Sequence, residues 1–387
     1  MSTGTPRSVN RARQFSLVIG IVGLIVCAIG FTIDRRASCV SYLFGFLVWL
    51  GISLGCSGFL MIHHLTGGNW GYPVRRFFEA AIKTMAILAA LFVPILFGLR
   101  QLYPWANEAD LSMDRILQHK QAYMNAPGFI TRMAIVFAVW IVGARLLTKW
   151  SAEQDATHSV EPTKKLRKLS GPGLVIYPLT VTFAYVDWVM SMEADWYSTI
   201  FPLLACVGQM LSALAFIIVL LAWYGPRTSL HEILSKESFH HLGNILLTFT
   251  MVWAYLAYAQ LIVIWSGDLP HEIGWYLHRI AGGWRWIAVA LLLFHFFGPF
   301  FLLLFRGTKR NPRILITIAA VIFLTHLLDV WWMVAPSLYQ KGFYVSWVAP
   351  AALAGIGGIW FSSFLKQLET RPLIPLNDPR FAIAVST

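Results

Sequence analysis

The sequence predicts an all-α polytopic membrane protein with about ten transmembrane helices, and three observations support this prediction. Of the 387 residues, 57% are hydrophobic and only 12% are charged, and the mean hydropathy is +0.64. This composition differs strongly from that of a soluble globular protein. Apolar runs long enough to cross a bilayer recur along the whole chain, and most basic residues lie in the short loops between them.

Ten apolar runs are predicted to be membrane-spanning helices, because a backbone in lipid is satisfied only in helices or closed barrels and runs of this length are helical. The first run follows three arginines, as in a signal peptide. With 19 residues it exceeds a typical signal-peptide core, so we expect a retained helix. The runs lie at about 15–33, 40–62, 77–99, 128–148, 173–191, 199–223, 242–265, 284–305, 314–335 and 345–365.

The distribution of Lys and Arg predicts that both termini are cytoplasmic. With the N-terminus inside, the inner tails and loops hold 19 of these residues and the outer loops seven, namely Arg35, Arg36, Arg100, Arg115, Lys120, Arg279 and Lys341. The chain is then one integral membrane domain with tails at 1–14 and 366–387, an outer loop at 100–127 and a basic cytoplasmic loop at 149–172. The net charge of +12 reflects this topology, and we expect no nucleic-acid partner.

Two runs carry small residues four apart, a spacing that lets helices approach closely within the chain or against another subunit. These are Gly51–Gly55 in the second run and the overlapping pairs Ala351–Gly355 and Ala354–Gly358 in the tenth. In the outer loop, residues 110–124 are expected to form a short interfacial helix.

Asp187 is an apparently uncompensated acid near the outer end of the fifth run. It lies roughly 21 Å along a span of about 30 Å. An ionised carboxylate in hydrocarbon costs several kcal/mol, so such a residue is a functional candidate. The alternative is that Asp187 caps a helix or pairs locally near the interface.

The ninth run resembles the fifth, because Asp187 lies in VDWVM and Asp329 in LDVWWM at similar depths. Runs 2–5 and 6–9 are therefore candidate parallel repeats of a four-helix unit, with chance similarity between aromatic-rich helices as the alternative. His326 and Asp329 are three apart, so they share a helix face and can interact. A carboxylate beside an imidazole suits proton acceptance from an outer quinol pocket.

The remaining polar residues inside the runs are candidates for a proton path. Glu79 and Lys83 are four apart in the order that favours an intrahelical pair. The two HH pairs are interpreted first as interfacial histidines at helix ends. The candidates are His63, His64, Glu79, Lys83, His240 and His241 towards the cytoplasm, His295 near the middle and Arg132 towards the outside.

The sequence predicts no metal, haem or iron–sulfur cluster bound by this chain. The four cysteines include no CxxC pair. No run carries two histidines at the spacing that a pair of b-type haems requires. If the chain handles quinol, the electrons must leave to a cofactor in another subunit.

Several segments resemble the second quinone-binding-type membrane subunit of bacterial alternative complex III, within the polysulfide-reductase/NrfD-like membrane family. They lie within about 170–340 and read FAYVDWVMSMEADWYSTIF, FHHLGNILLTFTMVWAYLAYAQLIVIW, FHFFGPFFLLLFRGTKRNP and HLLDVWWMVAP. Residues 1–160 match the family only in layout. Asp187 falls on the family's acidic position in the fifth helix, and His326 and Asp329 fall on its ninth-helix HxxD match.

The resemblance implies two four-helix bundles, helices 2–5 and 6–9, flanked by helices 1 and 10 in a bacterial inner membrane. It also implies a quinol:cytochrome c oxidoreductase complex with menaquinone or ubiquinone as the quinone. Expected partners are lipids, a paralogous NrfD-like subunit, periplasmic iron–sulfur and c-type haem subunits and, as a further candidate, a terminal oxidase. The leading hypothesis places the catalytic roles on Asp187, His326 and Asp329. A proton-coupled secondary transporter and a structural membrane anchor are the alternatives.

Overall fold

The computed structural model describes residues 7–157, 159–193, 195–225, 228, 230, 234–339, 342–375, 377 and 378, and these residues form helices and loops without a strand. Within these residues nine helices are each long and apolar enough to cross a membrane, and a bent pair of shorter helices, counted as one span, makes a tenth. They are α1 (Arg7–Ile33), α2 (Arg35–Thr66), α3 (Arg75–Ile82 and Met85–Phe97), α4 (Ala126–Ala156), α5 (Glu161–Trp188), α6 (Ile200–Tyr224), α7 (Lys236–Gly267), α8 (Trp284–Leu304), α9 (Pro312–Val334) and α10 (Val348–Leu368).

The predicted fold class is confirmed, since each of the ten apolar runs corresponds to one of these helices. Most helices extend a few residues past the apolar run, because polar residues continue the helix beyond the hydrocarbon. α3 differs from the expectation of a straight helix: its two parts meet at an angle of 42°. In the outer loop, the predicted interfacial helix is two shorter ones, Glu108–Met113 and Arg115–Lys120.

Several of the helices begin at residues that favour a helix N-terminus. Asp34 caps α2 by accepting from the Ala37 amide at 3.0 Å, and Asn125 caps α4 by accepting from the Gly128 amide at 2.7 Å. Gly283, with φ of 98°, precedes α8 in a left-handed conformation that a side chain would disfavour. Local chemistry therefore helps to set where these crossings begin.

The two predicted four-helix bundles are present and have the same packing order. In the first bundle each helix from α2 to α5 contacts the next one, and α5 also contacts α2. In the second bundle each helix from α6 to α9 contacts the next one, and α9 also contacts α6. The almost fully buried helices α2 and α6 pack against each other at the centre of the molecule. Asp187 on α5 and Asp329 on α9 thus lie on equivalent helices, as a four-helix repeat requires.

Helices α1 and α10 pair along their length and lie against α2. A Cβ atom on Gly23 would lie 2.6 Å from the Gly355 Cα atom, so this pair is as close as the small-residue pattern predicted. Arg13 and Glu369 form an ion pair of 2.8 Å at one end of the pair. The first residues of α1 and the last residues of α10 therefore lie on the same face, which we call the terminal side; the opposite face is the loop side.

Some predictions fall partly on residues outside the described ranges. These are residues 1–6 and 379–387 of the two predicted tails and, from the basic residues used for topology, Arg227, Lys341 and Arg380. Which face of the molecule is cytoplasmic stays a prediction.

Candidate functional site

Asp187 is paired with an arginine on the neighbouring helix. It is 2% exposed, and its two carboxylate oxygens accept from Arg132 Nε at 2.8 Å and Arg132 Nη2 at 3.0 Å. The Arg132 guanidinium also lies 3.8 Å from the centre of the Tyr123 ring and donates to the Tyr123 carbonyl. The expectation of an uncompensated acid was therefore wrong, and the alternative of local pairing describes its surroundings. Its proposed part in proton transfer stays a prediction.

A second group of ionisable side chains lies inside the second bundle. His326 and Asp329 on α9 share a face as predicted, with 3.6 Å between Nδ1 and Oδ2. That distance is too long for a hydrogen bond. His295 on α8 completes the group, which we call the His–Asp cluster. All three side chains are buried, and one ligand-type atom from each lies within 4.8 Å of the others.

The surroundings of His295 hold its ring in one orientation. Its Nδ1 lies 2.8 Å from Thr325 Oγ1, and the Trp253 ring packs edge-on at 4.5 Å between centroids. His295 belongs to a π-helical segment, Leu291–Phe297, inside α8. Such segments are rare and occur frequently at functional sites. The sequence indicated His295 but neither Thr325 nor Trp253, since both depend on how α7, α8 and α9 pack.

A chain of hydrogen bonds runs between the two bundles towards the His–Asp cluster. The Tyr177 hydroxyl donates to Gln209 Oε1 at 3.0 Å, and Gln209 Nε2 donates to the Tyr185 hydroxyl at 3.4 Å. Gly208, the neighbour of Gln209 on α6, lies against the His326 ring of the cluster, since a Cβ atom there would lie 3.3 Å from the imidazole Cε1. Sequence reasoning missed these three residues because tyrosine and glutamine inside a membrane helix are usually packing residues.

Glu79 lies in a charged network on the terminal side. It accepts from Arg75 at 2.9 Å and from Arg76 at 2.6 Å. Arg75 also binds Asp378 at 2.7 Å, so the C-terminal segment reaches this network. The predicted pair of Glu79 with Lys83 was wrong, because the first part of α3 ends at Ile82 and the carboxylate faces the two arginines. Each charge in this network has an opposite neighbour.

The two histidine pairs lie at helix ends on the terminal side and differ in burial. His63 and His64 are fully buried near the end of α2, and the His63 ring packs edge-on against Trp70 and Tyr72. His240 and His241 are partly exposed in the first turns of α7. These positions agree with interfacial histidines, the interpretation that the sequence favoured.

A further network on the loop side was not predicted. Glu193 follows the short turn Met190–Met192 after α5. It accepts from Arg279 at 2.8 Å and from the Ser337 hydroxyl at 2.7 Å, and the His278 ring lies 3.2 Å from its other oxygen. Burial raises the pKa of Glu193, but the hydrogen bond to His278 and the charge and hydrogen bond of Arg279 outweigh it and lower that pKa to about 2. Glu193 is therefore a fixed anion at neutral pH.

Three cavities lie near these groups without being lined by Asp187, His326 or Asp329. A cavity of about 760 Å³ opens on the loop side beside Glu193. Apolar cavities of about 420 and 390 Å³ lie between helices. The wall of the 390 Å³ cavity includes Tyr177, where the hydrogen-bond chain begins. Of these three cavities, only this one is lined by a residue of the hydrogen-bond chain.

Fold and site together define an all-α polytopic membrane protein whose interior holds an arginine–aspartate pair and the His–Asp cluster. No protein-family model matches the chain, and no curated protein matches it either. The resemblance to the NrfD-like membrane subunits therefore stays a prediction.

Proposed function

We propose that this chain is a membrane subunit of a respiratory complex that oxidises quinol and passes the electrons to a periplasmic acceptor such as cytochrome c. The observation that carries the proposal is the His–Asp cluster, an acid and two imidazoles held inside a membrane bundle. Ionisable groups at this depth are costly and mark proton or ligand pathways. Imidazole and carboxylate groups accept protons of the kind that quinol oxidation releases.

The hydrogen-bond chain supplies a route for those protons. Tyr177 donates to Gln209 and Gln209 donates to Tyr185, so both donors of this hydrogen-bond chain point from Tyr177 towards Tyr185. The 390 Å³ cavity next to Tyr177 has the size and apolar lining of a small-molecule site. In the proposal a quinone ring, of menaquinone or ubiquinone, occupies this cavity and Asp329 with His326 accepts the proton.

The proposed setting is a bacterial inner membrane with both termini cytoplasmic. Because the chain is expected to carry no redox centre, the electrons pass to partner subunits. The proposed partners are a paralogous NrfD-like membrane subunit and periplasmic subunits with iron–sulfur clusters and c-type haems.

The experiment uses Asp329→Asn and Tyr177→Phe in the assembled complex, with quinol:acceptor turnover and proton release measured together. We expect turnover to fall at least about 100-fold in Asp329→Asn, the lower end of what a positioned proton acceptor contributes. Glu161→Gln, an exposed acid on the terminal side, is the matched control. Wild-type turnover and proton release in both variants, with assembly intact, would refute the proposal and leave an anchoring role.

A proton-coupled secondary transporter is the second candidate, and the bend in α3 favours it. Interrupted helices are typical of transporter binding sites, and the two parts of α3 meet at 42° around Lys83 and Thr84. Purification separates the two functions. A transporter should purify alone, whereas the proposed subunit should co-purify with haem and iron–sulfur proteins.

A further inference from the structure

The His–Asp cluster combines two imidazoles and one carboxylate, and its His326 Nδ1 and Asp329 Oδ2 atoms, 3.6 Å apart, are too far apart for a hydrogen bond. His295 Nε2, His326 Nδ1 and Asp329 Oδ2 are all buried and have no hydrogen-bond partner within the described part of the chain. Leaving a buried polar atom unsatisfied costs about 1–3 kcal/mol, and more when it is charged. One ligand-type atom from each of the three residues lies within 4.8 Å of the others, so the unsatisfied groups indicate that something absent from the polypeptide occupies the space between them.

We propose that His295, His326 and Asp329 bind a divalent transition-metal ion of the Zn²⁺ type. Two imidazole nitrogens and one carboxylate oxygen suit zinc and its first-row neighbours, whereas Mg²⁺ and Ca²⁺ prefer oxygen ligands throughout. The inference goes beyond the proposed function and reverses the sequence-based expectation that the chain binds no metal.

The hydrogen bond to Thr325 prepares His295 as a ligand. The Thr325 hydroxyl lies 2.8 Å from the Val321 carbonyl and 3.1 Å from the Ile322 carbonyl, so its hydrogen points to the helix backbone. Its oxygen is then free to accept from Nδ1–H of His295 at 2.8 Å. This places a lone pair on Nε2, the ring nitrogen that is buried without a hydrogen-bond partner in the described part of the chain. A hydrogen bond of this kind fixes the tautomer of metal-binding histidines.

The other two ligands come from one turn of α9. His326 and Asp329 are three residues apart, and His326 packs against α6 at Gly208, where a Cβ atom would lie 3.3 Å from the imidazole Cε1. The rings of His295 and His326 are nearly parallel, at 24°, with centroids 6.1 Å apart. An ion between them would join α8 to α9.

Binding requires a small contraction of the cluster. An ion about 2.1 Å from each donor in tetrahedral geometry needs donor separations of roughly 3.4 Å. The separation of His326 and Asp329 is 3.6 Å, whereas the widest separation is up to 4.8 Å. A side-chain movement of about 1 Å at His295 or Asp329 would close the site, and the fourth position would stay open for water.

Protons and the metal ion would compete for the same lone pairs. Metal ligands must be deprotonated, so binding strengthens as the pH rises. If the proposed function is also correct, the bound ion inhibits proton release. The metal proposal does not depend on that function, since metal binding can be measured without turnover.

The first test is metal analysis of the chain purified from cells grown with added Zn²⁺ and then washed with a chelator. The metal is measured as purified, so the result does not depend on exchange of the ion into the folded protein. We expect one ion per chain in the wild type and its loss in His295→Gln and Asp329→Asn. The double variant His240→Gln with His241→Gln removes the exposed histidine pair and should retain the ion. A folded wild type without bound zinc would overturn the proposal.

The second test needs only the wild-type protein, so it stays decisive if the ligand variants fail to fold. Cells are grown with Co²⁺ in place of Zn²⁺, and the visible absorption of the purified chain is recorded. Cobalt bound by two nitrogens and one oxygen with an open position gives d–d bands that differ from those of aqueous Co²⁺. Their absence, or their persistence in Asp329→Asn protein shown to be folded, would contradict the assignment. If zinc binds but quinol turnover is absent, the proposed function fails while the metal site stands.

Discussion

Breaking the Asp187–Arg132 pair should affect stability unequally, depending on which partner is removed. In Arg132→Met the carboxylate, 3% exposed, loses its cation. Removing one partner of a buried pair typically costs about 3–5 kcal/mol. Because the Arg132 side chain is 20% exposed, solvent screens the pair, and we expect a destabilisation of about 2–3 kcal/mol.

In Asp187→Asn the arginine keeps other partners. It still donates to the Tyr123 carbonyl and stacks on the Tyr123 ring, and asparagine preserves one acceptor oxygen. We expect a loss of about 1 kcal/mol. The double variant should be more stable than Arg132→Met alone, with a coupling energy of about 1–2 kcal/mol.

The assay is reversible unfolding in detergent micelles, followed by tryptophan fluorescence for the wild type, both single variants and the double variant. Equal losses in the two single variants, or additive losses in the double variant, would refute the reasoning. A stable Asp187→Asn protein would also permit a clean test of Asp187 in quinol turnover, free of folding effects.

Three further predictions concern other parts of the molecule. Thr325→Val should weaken Zn²⁺ binding by about 10–100-fold, because the His295 tautomer is no longer fixed; isothermal titration of metal-depleted protein measures this. Gly23→Leu should destabilise the protein by about 1–3 kcal/mol, measured by thermal unfolding, because its first side-chain carbon would lie 2.6 Å from Gly355. Glu193 stabilises the folded protein above its ordinary pKa of 4.5, and this stabilisation is lost as the pH falls towards about 2. Over this pH range the unfolding temperature of Glu193→Gln should therefore vary less than that of the wild type.

The membrane-spanning helices could be predicted from the sequence, because each one must by itself be long enough and apolar enough to cross the bilayer. The small-residue face of α10 could be predicted from its spacing, whereas its contact with Gly23 of α1, where a Cβ atom would lie 2.6 Å from the Gly355 Cα atom, required the structure. The bend in α3 could not be foreseen, since no proline or glycine lies at its break near Lys83. At the break the Thr84 hydroxyl lies 2.7 Å from the Ala81 carbonyl and 3.0 Å from Ser53 Oγ of α2, contacts that the sequence does not reveal.

The ionic contacts were harder to predict than the helices. The sequence indicated Asp187 and Arg132 separately, and their pairing follows from two antiparallel neighbours whose loop-side ends lie at similar depth. Glu79 was assigned to Lys83 because local spacing was the only information, whereas its partners Arg75 and Arg76 lie one turn earlier. The convergence of His295 with His326 and Asp329 required the packing of α8 on α9.

The pairing of α1 with α10 has a consequence for how the protein is made. Ribosomes deliver the first crossing to the bilayer long before the last one exists. Until translation is nearly complete, α10 is absent, so the surface of α1 around Gly23 contacts lipid or a membrane chaperone instead. Chains released before α10 is made would expose the surface of α1 around Gly23 that α10 otherwise covers. We expect this exposed surface to distinguish incomplete chains from complete ones for quality-control proteases.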